Sequence, residues 1–149
     1  MKILIIFASF LIVAAITTAH ALDSDCSTGP VDLKVDSYTL SPNPFCIGKK
    51  ACATVTGKLK APVTQGAKLK FEGKFAGQVV YSKTLDLCIL LAQQGYPCPV
   101  PTTLTSLTLC MPIEGNVIAD TPVELEIVTI NGNGNTIFCR SATVTAKHC

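Results

Sequence analysis

Cysteine is the residue type with the most chemistry to offer here, since the chain of 149 residues contains eight of them. Zinc sites use pairs of cysteines separated by about two to four residues. The intervals in this chain are longer, with five residues between Cys46 and Cys52 and nine between Cys88 and Cys98. An even number of cysteines in a short secreted chain is typical of disulfides instead. We therefore predict structural disulfides, no metal site and no cofactor.

Groups that could catalyse a reaction are sparse and poorly placed. His148 stands beside the terminal Cys149, which is a poor position from which to organise a catalytic triad. Glu124 and Glu126 are separated by one residue on a predicted strand, so they share a face on which exposure to solvent is the default. No Gly-x-Ser-x-Gly nucleophile motif occurs. The sequence predicts that the protein is not an enzyme.

Residues 1–21 have the three parts of a secretory signal peptide. Lys2 supplies the positive charge, an apolar run follows, and Ala19-His20-Ala21 provides the small residues of a cleavage site. No later stretch approaches the roughly 18 apolar residues of a membrane span. The formal net charge of +2 would fall by one on cleavage, which leaves no electrostatic case for nucleic acid. We expect a single domain, residues 22–149, secreted or in the lumen of a vacuole or lysosome.

The elements that hold the cysteines are predicted to be strands. In the first, Val31, Leu33 and Val35 alternate with charged residues, which is typical of a half-buried strand. Asn-Gly pairs at 131–135 favour a tight hairpin turn. The predicted strand segments are 31–40, 52–60, 67–75, 77–88, the region from Leu104 to Leu109, 122–130 and 136–147. Seven short strands without a convincing helix predict an all-β sandwich, although the absence of tryptophan disfavours an immunoglobulin domain proper.

Two features leave alternatives open. Lysines recur with a spacing of two on the second and third strands, at Lys58, Lys60, Lys68, Lys70 and Lys74. They form either a solvated face that discourages edge pairing or a face that attracts anionic lipid headgroups. The run LDLCILLA at 85–92 is either a buried strand end or a segment that lines a cavity mouth or touches a membrane.

A set of short motifs occurs in a fixed order along the chain. They are Cys26, SPNP after the first strand, the pair Cys46 and Cys52, DLC at 86–88 followed by Cys98-Pro99, Met111-Pro112, and Cys139 in the last strand. Together these motifs resemble the ML lipid-recognition family, which includes a lysosomal sterol carrier and fungal phosphatidylglycerol/phosphatidylinositol transfer proteins. The resemblance covers nearly all of residues 22–149. It implies an immunoglobulin-like sandwich of seven strands, whose sheets part to hold a lipid in an apolar cavity.

The same resemblance implies a pairing of the cysteines. The implied bridges are Cys26–Cys139, Cys46–Cys52 and Cys88–Cys98. Cys110 and Cys149 are not part of the family's common pattern, so by elimination they are left to pair with each other. That last bridge would tie the fifth strand to the C-terminus.

Three lipid contacts follow from matching positions in the family's sterol carrier, namely Val80, Ile113 and Val117. Val80 and Val117 stand where that carrier has aromatic rings. The resemblance therefore supports the acyl chains of a phospholipid at least as well as a sterol. Further candidates lie near these positions in the sequence: Phe71, Phe75, Leu85, Leu87, Ile89 and Tyr96.

The expected function is the extraction and transfer of a phospholipid or sterol by a monomer. Such a carrier would make transient contact with membranes, and a receptor or membrane acceptor protein is a further expected partner. Two other interpretations stay open. One is a module that presents a lipid or glycolipid to a receptor, and the other is a ligand-free structural sandwich.

Overall fold

The computed structural model describes residues 23–149. The signal peptide predicted at 1–21 lies outside the described residues. In chain order the elements are β1 (Asp23–Asp25), β2 (Leu33–Ser41), β3 (Phe45–Cys46), β4 (Lys50–Leu59), β5 (Lys68–Phe75), β6 (Gln78–Asp86), α1 (Leu87–Gln93), β7 (Ser106–Pro112), β8 (Val123–Ile130), β9 (Thr136–Val144) and β10 (Ala146–Lys147). No helix within this part of the chain has the length and apolar character needed to cross a membrane.

Two antiparallel sheets form the layers of the fold. The large sheet has five strands in the order β1-β9-β8-β5-β6, and the small sheet has three in the order β2-β4-β7. Strands β3 and β10 form a short parallel pair. Leu69 and Ile127 of the large sheet belong to one core cluster with Leu59 and Leu107 of the small sheet, so the core lies between the two layers. The predicted all-β, immunoglobulin-like sandwich is confirmed.

The seven predicted strands correspond to β2, β4, β5, β6, β7, β8 and β9, with ends that differ by a few residues. They could be predicted because a strand buries every second side chain. In β2, Leu33 and Val35 are more buried than their neighbours. After an irregularity in the pairing between Val35 and Ser37, the more buried positions are Tyr38 and Leu40.

The sequence analysis is wrong in finding no helix and in extending the fourth strand to residue 88. The strand ends at Asp86, whose side-chain Oδ1 accepts a hydrogen bond from the backbone N–H of Ile89 at 3.1 Å. This contact caps helix α1. Leu87 and Leu91, four residues apart, are 5% and 1% exposed, whereas Ile89 is 60% exposed. The apolar run is too short for its periodicity to separate a helix from a strand end.

All eight cysteines, which lie in the described part of the chain, form disulfides. Two bridges are as expected, Cys26–Cys139 and Cys88–Cys98. The other two expected bridges, Cys46–Cys52 and Cys110–Cys149, are wrong, because the bonds are Cys46–Cys149 and Cys52–Cys110. Strand pairing is the physical reason. The register of β4 and β7 places Cys52 opposite Cys110 with their Cα atoms 4.0 Å apart, and the β3–β10 pair brings Cys46 beside Lys147, near Cys149.

Candidate functional site

The two sheets do not pack solidly against each other. Apolar space lies between them in two neighbouring chambers of about 100 and 150 Å³. A cavity needs only about 10–15 Å³ to hold one water molecule. The side chains that line both chambers are largely aliphatic. Since water is not stable in an apolar cavity without polar partners, this space suits hydrocarbon.

The chamber of about 100 Å³, which we call the inner chamber, lies beside helix α1. Leu87 and Leu91 of the helix and Val100 of the following loop contribute to its wall, and all three are buried. The Cys88–Cys98 disulfide ties the helix to that loop. Strands of both sheets complete the chamber, with Val55, Leu69, Leu107 and Ile137 among the lining residues. The helix that the sequence analysis missed is therefore part of the candidate site.

The chamber of about 150 Å³, which we call the outer chamber, includes residues of β6 and of the segment after β7. The three contacts predicted from the family resemblance, Val80, Ile113 and Val117, all line it. Val80 is 46% exposed, and Ile118, which lines the same chamber, is 44% exposed. Apolar side chains that line a chamber and are half exposed mark its rim, so the outer chamber opens to solvent at Val80 and Ile118.

Four residues line both chambers: Ala53, Phe71, Leu109 and Ile127. They are two cross-strand pairs. Ala53 lies opposite Leu109 in the small sheet, and Phe71 lies opposite Ile127 in the large sheet. We call these four residues the waist. The two chambers meet there, between the middle of one sheet and the middle of the other.

Polar groups gather at the rim of the outer chamber. Glu114 and Asn116 line it, and the Glu114 carboxylate accepts a hydrogen bond from Lys83 Nζ, which links β6 to the segment after β7. This bond raises the pKa of Lys83. The side chains of Lys83 and Glu114 are 41% and 37% exposed, so water screens the attraction between them and the pair adds little to stability. Burial, and then the Glu114 charge, raise the pKa of Tyr81, which also lines the chamber.

The remaining predicted contacts divide between the cavity and other parts of the molecule. Phe71 belongs to the waist and Leu87 to the inner chamber. Four candidates line neither chamber: Phe75, Leu85, Ile89 and Tyr96. Phe75 ends β5 with 47% of its surface exposed, while Tyr96 packs against the core cluster from the loop after α1. Closeness in sequence does not tell which side of a strand or helix a residue faces.

The sequence analysis did not name several cavity-lining residues of the strands as lipid contacts. Examples are Tyr38 of β2, Met111 of β7 and Leu125 of β8. A usable signal was present, because Leu125 and Ile127 are two residues apart on one strand and therefore face the same side. The family motifs indicated residues near the rim of the outer chamber, whereas alternation along a strand indicates the residues that form the chamber walls.

The lysine stripe has acidic partners on the large sheet. Lys74 Nζ lies 3.2 Å from Glu126 Oε2, and Lys70 Nζ lies 2.6 Å from Glu72 Oε1. The hydrogen bond to Glu126 raises the pKa of Lys74, and the bond from Lys70 lowers the pKa of Glu72. None of these four side chains lines either chamber. This part of the stripe is a charge-balanced surface. Between residues 23 and 149, no three His, Cys, Asp or Glu side chains are grouped so that they could hold a metal.

A family model of the ML domain matches residues 23–146. The chain belongs to the ML domain family. This family is one of lipid-binding and lipid-transfer proteins rather than of enzymes. The chambers between the two sheets are the part of this ML domain with the apolar character that a lipid requires.

The chain is similar to a transfer protein in sequence and to two solved structures in fold. A phosphatidylglycerol/phosphatidylinositol transfer protein of Aspergillus fumigatus is 30% identical over 76 residues, which are 51% of this chain and 43% of that protein. The chain thus matches less than half the length of that relative. A Niemann-Pick type C2 protein from Japanese carpenter ant has a TM-score of 0.65 at 16% identity, over 83% of this chain and 98% of that chain. The C-terminal domain of wzt has a TM-score of 0.55 at 10% identity, over 88% and 80%. At these identities the two structures are similar in fold alone.

Proposed function

We propose that this ML domain carries a phospholipid or sterol in the cavity between its sheets and transfers it between membranes. The observation that carries the proposal is the apolar space of the two chambers, which opens at a rim of half-exposed apolar residues. Burial of hydrocarbon provides about 0.8 kcal/mol per methylene group. An acyl chain of about ten methylenes would therefore favour the cavity over water by about 8 kcal/mol.

The free energy of hydrocarbon burial also determines how the lipid can leave the cavity. Release into water would carry the full penalty of exposing the chain, so exchange requires an apolar acceptor at the rim. Phe75 and Val79 lie at either side of the β5–β6 turn and are 47% and 54% exposed, close in sequence to the rim residue Val80. We infer that this region makes the transient contact with a membrane or an acceptor protein. Four disulfides suit an oxidising compartment, which supports secretion or a vacuolar or lysosomal lumen.

The experiment combines native mass spectrometry of the purified protein with transfer of a fluorescent phospholipid and a fluorescent sterol between vesicles. We expect a lipid to copurify at one molecule per protein and transfer to increase with protein concentration. Val80→Trp and Ile113→Trp should each block uptake, because a large ring would fill the outer chamber. Ile130→Trp is the matched control, since Ile130 is 38% exposed, lines neither chamber and pairs with Lys68, at the opposite end of β5 from Phe75.

Three results would each count against part of the proposal. If both outer-chamber variants transfer lipid as the wild type does, the cavity is misplaced. A stoichiometric lipid without transfer would favour a module that presents lipid to a receptor. No copurifying lipid under gentle conditions, together with no transfer, would leave a structural sandwich.

A further inference from the structure

The waist is the place where the two chambers adjoin, and the side chains on its two sides differ in size. On the large sheet it consists of Phe71 and Ile127, and on the small sheet of Ala53 and Leu109. Phe71 has the largest of these four side chains and Ala53 the smallest. The Phe71 ring is therefore the largest side chain at the place where the two chambers meet, and a hydrocarbon chain that extends from one chamber into the other lies beside it.

The length of the cavity can be compared with the length of an acyl chain. Strand β4 lines the outer chamber from Ala51 and the inner chamber as far as Leu59, which at about 3.3 Å per residue is about 26 Å. The hydrocarbon core of a bilayer is about 30 Å thick and holds two chains end to end, so one chain takes about 15 Å. A chain that starts beside Ala51 would reach Ala53 after about 7 Å and would end near Val55, in the inner chamber.

Within the described part of the chain, charged and amide side chains line only one of the two chambers, the outer one. Tyr81, Glu114 and Asn116 line the outer chamber, where Val80 and Ile118 form the open rim. Among residues 23–149, no charged or amide side chain lines the inner chamber. Its polar lining residues carry hydroxyl groups only, and the helix residues Leu87 and Leu91 that reach it are buried and apolar. A lipid with its headgroup at the rim would therefore place the distal part of its tail in the inner chamber.

We propose that the waist selects the lipid by shape: it passes a flexible acyl chain and stops a rigid fused-ring lipid, with Phe71 as the specificity-determining residue. This inference deepens the proposed function and rests on it. A methylene chain is narrow and can bend at each bond, so it can pass beside the Phe71 ring. A sterol ring system cannot bend and stays in the outer chamber. The protein then favours phospholipids over sterols, and the inner chamber measures chain length.

The test uses a series of lysophosphatidylglycerols from octanoyl to stearoyl, together with cholesterol, and measures their binding by displacement of an environment-sensitive fluorophore. For the wild type we expect affinity to rise about fourfold per methylene group until the chain fills the inner chamber. For Phe71→Trp the affinity should stop rising at the acyl-chain length that reaches the waist. The affinities for the shortest chain and for cholesterol should stay within about twofold of the wild-type values.

Two further variants keep the test decisive if Phe71→Trp folds poorly. Val55→Phe narrows the inner chamber from the other sheet and should also shorten the longest chain that gains affinity, without any change at the waist. Ile130→Trp is the matched control, because Ile130 is in the same sheet as Phe71, is 38% exposed and lines neither chamber, and its chain-length profile should equal that of the wild type.

The outcomes separate this inference from the function on which it rests. Suppose that the wild type binds lipid and that Phe71→Trp and Val55→Phe keep its chain-length profile. The inference that the acyl chain passes the waist is then wrong, whereas the proposed function as a lipid carrier is unaffected. Cholesterol affinity that falls along with long-chain affinity in Phe71→Trp would overturn selection by shape. A wild type that binds none of these lipids would overturn the proposed function and this inference together.

Discussion

At the scale of single residues, Asn131 has the most concentrated set of polar contacts. It is 2% exposed. Its Oδ1 accepts hydrogen bonds from the backbone N–H groups of Thr64 and Gly132 at 2.9 and 2.8 Å, and its Nδ2 donates to the carbonyl of Pro62 at 3.0 Å and to Asp32 at 3.3 Å. This amide ties the β8–β9 turn to the segments before β2 and before β5. These segments adjoin Val63 and Leu33, which line the inner chamber.

We predict that Asn131→Ala lowers the free energy of unfolding by about 2–3 kcal/mol, because it removes the hydrogen bonds of a buried amide to three backbone groups and to Asp32. Asn133→Ala is the matched control in the same turn. Asn133 is exposed and accepts one hydrogen bond, from the backbone N–H of Asn135 at 2.9 Å. Asn133→Ala should therefore lower the free energy of unfolding by less than about 1 kcal/mol. Denaturation in guanidinium with the disulfides intact measures both values. Equal losses in the two variants would contradict the special role of Asn131.

At the scale of elements, the sequence predicts features that depend on adjacent residues, such as single strands, but not features that depend on which strands pair. A strand such as β2 could be predicted because apolar and charged residues alternate in its sequence, and the apolar Leu33 and Val35 are the more buried ones. Helix α1 could not be predicted, since its apolar run lies directly after a strand and covers only seven residues. Alternation also does not say which strands are neighbours. Cys52 and Cys110 are 58 positions apart in sequence, and only the β4–β7 register places them together.

The corrected disulfides give a prediction that peptide mapping can check. Trypsin cleaves after Lys49 and Lys50, which separate Cys46 from Cys52. In a non-reducing digest we expect the peptide 35–49 to be linked to the C-terminal dipeptide 148–149, since Cys46 bonds to Cys149. The peptide 51–58 should be linked to the large peptide 84–140, which contains Cys110. Mass spectrometry before and after reduction identifies each link. A species that joins 35–49 to 51–58 would show the pairing Cys46–Cys52 and overturn the register-based assignment.

At the scale of the whole molecule, the cavity and the disulfides have opposite effects on stability. Cavities destabilise by about 24 cal/mol per Å³, so the two empty chambers would cost up to about 6 kcal/mol. A typical domain is stable by only about 5–15 kcal/mol. Three of the disulfides close loops with separations of 58, 103 and 113 residues, and each contributes about 4–5 kcal/mol in the chain-entropy model. The bridges allow the sheets to stay folded around space that side chains do not fill.

A lipid that fills this space should stabilise the folded protein, by an amount that grows with the logarithm of the free lipid concentration above the Kd. Binding to the folded state alone contributes about 2.7 kcal/mol when the ligand is at about a hundred times its Kd. At about 3–4 °C per kcal/mol for a domain of this size, the Tm should rise by roughly 10 °C when a delipidated sample is reloaded with lysophosphatidylglycerol. Calorimetry of the two forms measures the shift. Val80→Trp, in which the outer chamber is filled, should show no shift under the same conditions, whereas the Ile130→Trp control should shift as the wild type does. A wild-type Tm that is unchanged by lipid, or a Val80→Trp variant that shifts equally, would mean that the lipid does not occupy the space between the sheets.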